Sequence, residues 1–417
     1  MEAFAVFGQL FDQFALIADV FRYVWFLLLP PILYYLFRPI WIEYIADVYA
    51  DTVPFDMLEI IPPRNSERSP QPMESIFAGL QGTRSSIPTY DDLCLGVFPP
   101  SFSFEIVGNA GRVHFYVMLQ RNFRPVFESH FYAQYPDVEI RDVADYMDDV
   151  PAIIPNKDWD VWGADIELLK PDPVPIKTWQ HFEEDITGKM IDPMSGLIEV
   201  MGRARRGEYL CLQIIISPEP ESWHKEAMAY VDELKGRVVA KPKGLLARMV
   251  MAVTGFLAKE GDGGKSDSAD APLEFKLSPV ERKVLEAVEE NIGRYTFKVK
   301  MRMIYTARKE IFDKAMIAGF FGAMKQFADF NLNAFRPHDP SVTYALYVFR
   351  KTRLRFLQHK LLRAYRKRKM SGKKFRLSDR ELATILHMPD MSVVAPSITR
   401  SGTTKSTAPA NLPIEES

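Results

Sequence analysis

The chain has 417 residues, room for two or three domains. Hydrophobic residues make up 47% and charged residues 25%, globular values that set aside wholesale disorder. The net charge of −2 gives no overall pull toward nucleic acid or anionic lipid, and two isolated cysteines, Cys94 and Cys211, supply neither a disulfide framework nor a metal motif.

Near the N-terminus, Tyr23–Phe37 is uncharged and lies between Arg22 and Arg38. Apolar character continues upstream through Phe14–Phe21 and downstream through Ile40-Trp41-Ile42, which makes a span of about 20 residues available for a bilayer. The expectation is a single transmembrane helix in segment 1–50, with Tyr23, Trp25, Phe26, Leu28, Pro30, Pro31, Leu33, Tyr35 and Phe37 in the span. Trp25, Tyr34, Tyr35 and Trp41 are placed to anchor at the interfaces, and membrane helices tolerate a kink at Pro30-Pro31. A signal peptide would need a basic leader and a small-residue cleavage site, and the segment has neither. A buried core helix is the plainer alternative, but flanking arginines and aromatics favour the span. The 21 residues before Arg22 carry no Lys or Arg and basic residues follow the span, so the main domain is expected to be cytoplasmic, on the inner membrane.

Residues 51–150 read strand, helix, strand, strand, helix, strand. Asp56–Ile61 is a short apolar strand closed by Pro62-Pro63. Gln71–Leu80 has helical spacing at Met73, Ile76, Phe77 and Leu80. Phe102–Val107 and Val113–Leu119 flank Gly108-Asn109-Ala110-Gly111, which is turn chemistry. Phe123–Tyr135 reads as a second helix and Val138–Val143 as a last strand. This βαββαβ order is the ferredoxin-like pattern. Pro136–Val150 is rich in Asp and Glu. A divalent-metal site there is conceivable, but the spacing is that of a solvated strand exit rather than an EF-hand.

Residues 151–340 predict a second, elaborated α/β module. Its strands are Val161–Leu169, Tyr209–Ile216 and Tyr295–Tyr305, the last with a basic outer face expected to be half exposed. Pro193–Arg203, Glu221–Leu234 and Ala307–Phe327 read as helices, and Ser278-Pro279-Val280-Glu281 is a capping box opening another. Gly244–Ala258 is apolar and reads as a packed or interfacial helix, and 259–276 is a flexible insertion by composition. Within it, Gly264-Lys265-Ser266 imitates the end of a P-loop, but Lys259 stands where the motif needs its first glycine.

Val342–Lys369 is helical in pattern, with an apolar side and a cationic remainder that places it, with the short segment to 390, as a separate region 341–390. Arg350, Lys351, Arg353, Arg355, Lys360, Arg363, Arg366, Lys367, Arg368 and Lys369 are the candidate contacts for an anionic partner; Lys373, Lys374 and Arg376 extend the run, and no acid interrupts it. Three partners fit: the acidic side of another subunit, an anionic leaflet, or nucleic-acid phosphate. Aromatics in the helix, Phe356 and Tyr365, are sparse for base stacking. Ser378-Asp379-Arg380-Glu381 is a second capping box, and 391–417 is a Ser/Thr/Pro-rich tail expected to be disordered.

No His pair at metal-ligand spacing, G-x-S-x-G or G-x-G-x-x-G occurs, so the sequence offers no catalytic, metal or cofactor site and the expectation is a non-enzyme.

Three stretches carry a family resemblance: 58–82 (LEIIPPRNSERSPQPMESIFAGLQG), 104–146 (FEIVGNAG through RDVADY) and 377–400 (LSDRELATILHMPDMSVVAPSITR). They resemble the N-terminal, pre-ATPase region of VirB/TraC-type type IV secretion and conjugation ATPases, in the membrane-anchored form found in candidate-phylum bacteria. The elements in question are Leu58–Pro62, Met73–Phe77, Phe104–Leu119, Gln134–Asp137 and Leu377–Pro389. In that family a P-loop ATPase domain follows, whereas this chain reaches Ser417 without one. The resemblance thus implies a docking half whose motor is a separate polypeptide, and it carries over no catalytic residue.

Taken together, the expectation is an α+β chain: a transmembrane helix, two tandem ferredoxin-like modules, a basic helix and a tail. It would act as a non-catalytic, membrane-anchored scaffold of a secretion- or conjugation-like apparatus, docking a separate P-loop ATPase and other subunits. The helices Met73–Leu80 and Phe123–Tyr135 are candidate subunit contacts, and self-association is possible. The alternative is a membrane-tethered nucleic-acid-binding protein that uses 350–376.

Overall fold

The computed structural model describes residues 2–63, 69–182, 192–220, 222–235, 278–347 and 349–389. The apolar stretch 244–258, the insertion 259–276 with its P-loop imitation, and the tail 391–417 lie outside the described residues. The chain divides into two compact units, Met1–Pro54 with Ser85–Pro99, and Phe55–Arg84 with Pro100–Ser417.

The first unit is built on helix α1 (Glu2–Ala50), which contains Pro30, Pro31 and Pro39. Its C-terminal half holds the 85–99 stretch: Trp41 Nε1 donates to the Leu93 carbonyl at 2.9 Å, and the rings of Tyr49 and Phe98 meet edge-on at 5.5 Å. Among the described residues no helix is long and apolar enough to cross a membrane, which overturns the expected span, the anchored protein and its inner-membrane location. The physical reason lies in the flanks. Arg22 and Arg38 bracket a stretch that rises only about 22 Å as a helix, against about 30 Å of hydrocarbon, and lengthening it takes in an arginine. Trp25, Phe26, Leu33, Tyr35 and Phe37 are exposed on α1, as are Pro30 and Pro31, while the side chains of Tyr23 and Leu28 lie outside the described residues.

The second unit is organised by one nine-stranded antiparallel sheet. Its strands are β1 (Phe55–Ile61), β2 (Phe102–Asn109), β3 (Arg112–Gln120), β4 (Glu139–Asp142), β5 (Trp159–Leu168), β6 (Glu208–Pro218), β7 (Thr296–Arg308), β8 (Phe335–Pro337) and β9 (Phe375–Ser378). They run β4-β1-β3-β2-β6-β7-β5-β8, with β9 beside the start of β7. Residues alternate between the two faces, as in β3, where every second residue from Val113 is buried. Ala110 and Gly111, at φ 50° and 78°, form the tight primed turn that matches strand twist between β2 and β3.

This corrects the expectation of separate tandem modules. Each half does order its strands fourth, first, third, second. However, β2 pairs along its full length with β6, from Phe102↔Ile216 to Asn109↔Tyr209, so both halves share a single sheet and one main core. An edge pairing of this kind has no signature in hydrophobic period, because each strand alternates equally well whatever its neighbour.

That core lies on one face, under α2 (Gln71–Leu80), α3 (Arg124–Gln134), α4 (Ser195–Gly202), α7 (Lys314–Met324) and α9 (Asp379–Ile385). The chain also forms α5 (Ser222–Leu234) and α6 (Pro279–Ile292), which pack on each other around Trp223, Val231, Leu285 and Val288. Met73, Ile76, Phe77 and Leu80 of α2, and Phe127 and Phe131 of α3, are buried in the core, so those apolar faces are used by the fold. Glu74 ties the layer together, accepting from Trp179 Nε1 at 2.7 Å and from Arg294 at 2.8 Å.

Candidate functional site

The opposite face of the sheet is covered by α8 (Arg350–Arg366), the basic helix. Residues 342–347 and 349, expected to belong to this helix, do not: Tyr347 and Phe349 sit at φ 67° and 56°, and the helix begins at Arg350. Leu354, Leu357, Leu361, Leu362 and Tyr365 recur at helical spacing, and Leu361, Leu362 and Tyr365 pack on Val107, Val161, Cys211 and Ile304 of the sheet. Gly163 of β5 allows the approach. A Cβ built there would lie 2.7 Å from both Leu361 Cδ2 and the Met303 carbonyl oxygen. Gln358 Nε2 pins the helix by donating to the Val161 carbonyl at 2.7 Å and to Asp160 at 3.1 Å.

Beneath and beside α8, polar side chains form a row across the sheet. The register places Arg141, Glu59, Tyr116, Glu105, Gln213, Arg302 and Asp165 side by side on seven strands. Gln213 Nε2 donates to Glu105 at 2.9 Å, Arg302 donates to Gln213 Oε1 at 3.1 Å and to Asp165 at 3.1 Å, and Lys300 donates to Asp165 at 2.6 Å. The expected half-exposed basic face of β7 is therefore corrected: Lys300 and Arg302 are almost wholly buried, because α8 and the 367–374 segment close over them.

The ten candidate cations are thus divided between two roles. Arg366 and Arg368 turn inward. Arg366 donates to the Met147 and Val150 carbonyls, and Arg368 binds Glu105 at 3.0 Å and also Asp145. Lys369 contributes its carbonyl to Arg302. Arg350, Lys351, Arg353, Arg355, Lys360, Arg363 and Lys367 are exposed. For Arg350, Lys351, Arg353, Arg355 and Lys360 no carboxylate among the described residues lies within ion-pair distance. The acid-rich stretch is partly consumed in the same way, Asp142 by Arg124 and Asp145 by Arg368, and no metal-holding group occurs among the described residues.

Burial under α8 fixes the protonation of its polar groups. Burial pushes the phenols of Tyr146 and Tyr365 and the thiol of Cys211 upward, so all three stay protonated near neutrality. Burial opposes charge on Arg368, but Glu105 and Asp145 outweigh it and hold the guanidinium protonated. Tyr146 donates to Glu105 at 2.6 Å, which leaves that carboxylate fully engaged.

On the core face, His387 has acceptors at both ring nitrogens, the Ala383 carbonyl at 3.0 Å and Asp192 at 3.0 Å. The cavity beside it, of about 20 Å³, has room for roughly one water.

A family profile matches residues 46–401, six-sevenths of the chain. The chain belongs to the family described as a domain of unknown function (DUF8128). The matched region takes in the whole sheet, α8 and α9, and leaves most of α1 outside. No curated protein matches the chain.

Sequence reading missed the aromatics beside α8. Tyr344, Tyr347, Phe349 and Phe356 are all exposed, whereas Tyr365, grouped with Phe356 beforehand, is buried. The usable signal was Tyr344–Phe349 itself, five apolar or aromatic side chains larger than alanine directly before a cationic run, which a continuous helix would have spread around its circumference.

Proposed function

We propose that the chain is a non-catalytic scaffold whose α8 surface docks an anionic partner. One observation carries the reading: α8 is fixed to the sheet by Leu361, Leu362, Tyr365 and Gln358 and by the buried Arg368–Glu105 ion pair just beyond its end, while Arg350, Lys351, Arg353, Arg355 and Lys360 project outward without carboxylate partners among the described residues. A rigidly mounted cationic surface supports recognition, since little backbone ordering remains to oppose binding. The resemblance to secretion ATPases suggests one setting, a transport assembly driven by a P-loop ATPase. The family match names no assembly.

The test uses a heparin matrix as a generic polyanion. The full chain should be retained and should elute only at raised salt, and the variant Arg350→Glu/Arg353→Glu/Arg355→Glu/Lys360→Glu should flow through while melting at the same temperature. Equal retention of the two proteins would sink the proposal.

A further inference from the structure

We infer that the partner of this surface is single-stranded nucleic acid, whose bases stack on Tyr347, Phe349 and Phe356 while α8 cations hold its phosphates. The inference rests on the anionic-partner reading and names the partner's class.

Three observations converge. The first is exposure: Tyr347, Phe349 and Phe356 are 85%, 79% and 65% exposed, so the fold buries little of three large rings standing in one short stretch. The second is backbone. Tyr347 and Phe349 adopt left-handed conformations, at φ 67° and 56°. Bulky side chains rarely accept such φ values, and the cost is of order 1 kcal/mol or more each. Packing within the described residues gives no return for it, since both rings stay in solvent.

The third is charge placement. Arg350, Lys351 and Arg353 occupy the first turn of α8, where the helix dipole is already positive. Neither an acid in that turn nor a capping side chain at Phe349 offsets them. This arrangement works against the isolated helix and strengthens the field felt by an approaching anion. Phe356 then stands between Arg353 and Lys360, at positions three and four residues away on the outer face.

A soluble ligand that uses both features must be polyanionic and must present flat apolar faces. An unpaired nucleic acid strand does so, because each phosphate is followed by a base free to stack. A duplex hides its bases, and an acidic polypeptide matches the cations but not the rings. Helix rise puts about 9 Å between Arg350 and Phe356, so the rings and cations lie within reach of one short stretch of strand.

The experiment measures fluorescence anisotropy of labelled dT20, an abasic strand of the same length, a 20-base-pair duplex and poly-glutamate with the full chain between 50 and 200 mM KCl. Expected for dT20 is binding with a log–log salt slope of about −2 to −3.5, from three to five phosphates at about 0.7 each. Tyr347→Ala/Phe349→Ala should weaken dT20 by about fivefold or more per lost stack without changing that slope. Arg353→Glu/Arg355→Glu should make the slope shallower by about 1.4. Phe356→Ala, on regular helix, is the second aromatic test should the first pair disturb the fold. Wild-type affinity in both aromatic variants, or binding of the abasic strand or poly-glutamate as tight as dT20, overturns the nucleic-acid assignment while leaving charge-driven docking intact. Failure of every polyanion to bind overturns both.

Discussion

Arg368 and Glu105, 263 positions apart in the chain, form a buried ion pair with nitrogen–oxygen distances of 3.0 and 3.2 Å. The pair fastens the end of the basic helix to the middle of the sheet, and Asp145 closes on the same guanidinium. Removing the cation alone leaves a desolvated carboxylate, so Arg368→Ala should lose about 3–5 kcal/mol of unfolding free energy. Adding Glu105→Gln should recover part of that loss, because the stranded charge disappears. Urea denaturation of wild type, both single variants and the double variant measures the coupling. A double variant no better than Arg368→Ala would mean that the penalty is packing rather than charge.

Local features of this architecture were legible from sequence, and non-local ones were not. The hairpin at 108–111 and both capping boxes declare themselves through residue types within a few positions. The β2–β6 seam does not, nor does the row from Glu105 to Asp165, since the residues that meet there lie up to 137 positions apart along the chain. Arg366 and Arg368 illustrate the limit. By charge they are indistinguishable from Arg353 and Arg355, and only the carboxylate and carbonyls that the topology brings beneath them make them structural. The apolar stretch in α1 misled for the opposite reason, because its composition suggested a bilayer while its length between arginines fell short.

Gly163 is where the basic helix comes closest to the sheet. An added methyl would meet the Met303 carbonyl, which belongs to the strand ladder and cannot swing aside, and also Leu361. Gly→Ala normally gains about 0.4–1 kcal/mol by restricting the unfolded chain, but strain in a packed site costs about 1–3 kcal/mol and prevails. Gly163→Ala should therefore lower the melting temperature. Trimming the helix side with Leu361→Ala should not restore it, because the backbone contact remains.

Stability should fall as pH rises from about 4.5 to 7. Burial lifts the Glu381 carboxyl from 4.5 to about 7, and burial lifts Asp379 from 3.8 to about 6 although Arg294 pulls the other way. Within that window the folded state holds protons that the unfolded chain has released, so the stabilisation is complete below the unfolded values and is lost as pH passes the folded ones. Glu381, fully buried, accounts for a change on the order of 3 kcal/mol. Melting temperatures measured from pH 4.5 to 7.5 should decline in wild type and should flatten in Glu381→Gln. A parallel decline in the variant would assign the effect elsewhere.

The two capping boxes share the motif Ser-x-x-Glu but differ in surroundings. At Ser278 the hydroxyl accepts from Glu281 N at 3.3 Å and the carboxylate accepts from Ser278 N at 2.7 Å, all exposed to solvent. At Ser378 the same exchange is buried, and the hydroxyl also donates to Glu381 at 3.0 Å while Glu381 accepts from Ile176 N at 2.9 Å. Water can replace the lost hydroxyl at the first site but not at the second. Ser278→Ala should thus cost near the low end of the usual cap range, about 0.5–1 kcal/mol. Ser378→Ala should cost a further 1–3 kcal/mol, the penalty of a buried carboxyl and a buried N–H each left one partner short. Side-by-side urea melts decide the point: equal losses would mean that burial adds nothing to a capping box, whereas the expected gap shows that one four-residue motif has a worth set by the fold around it.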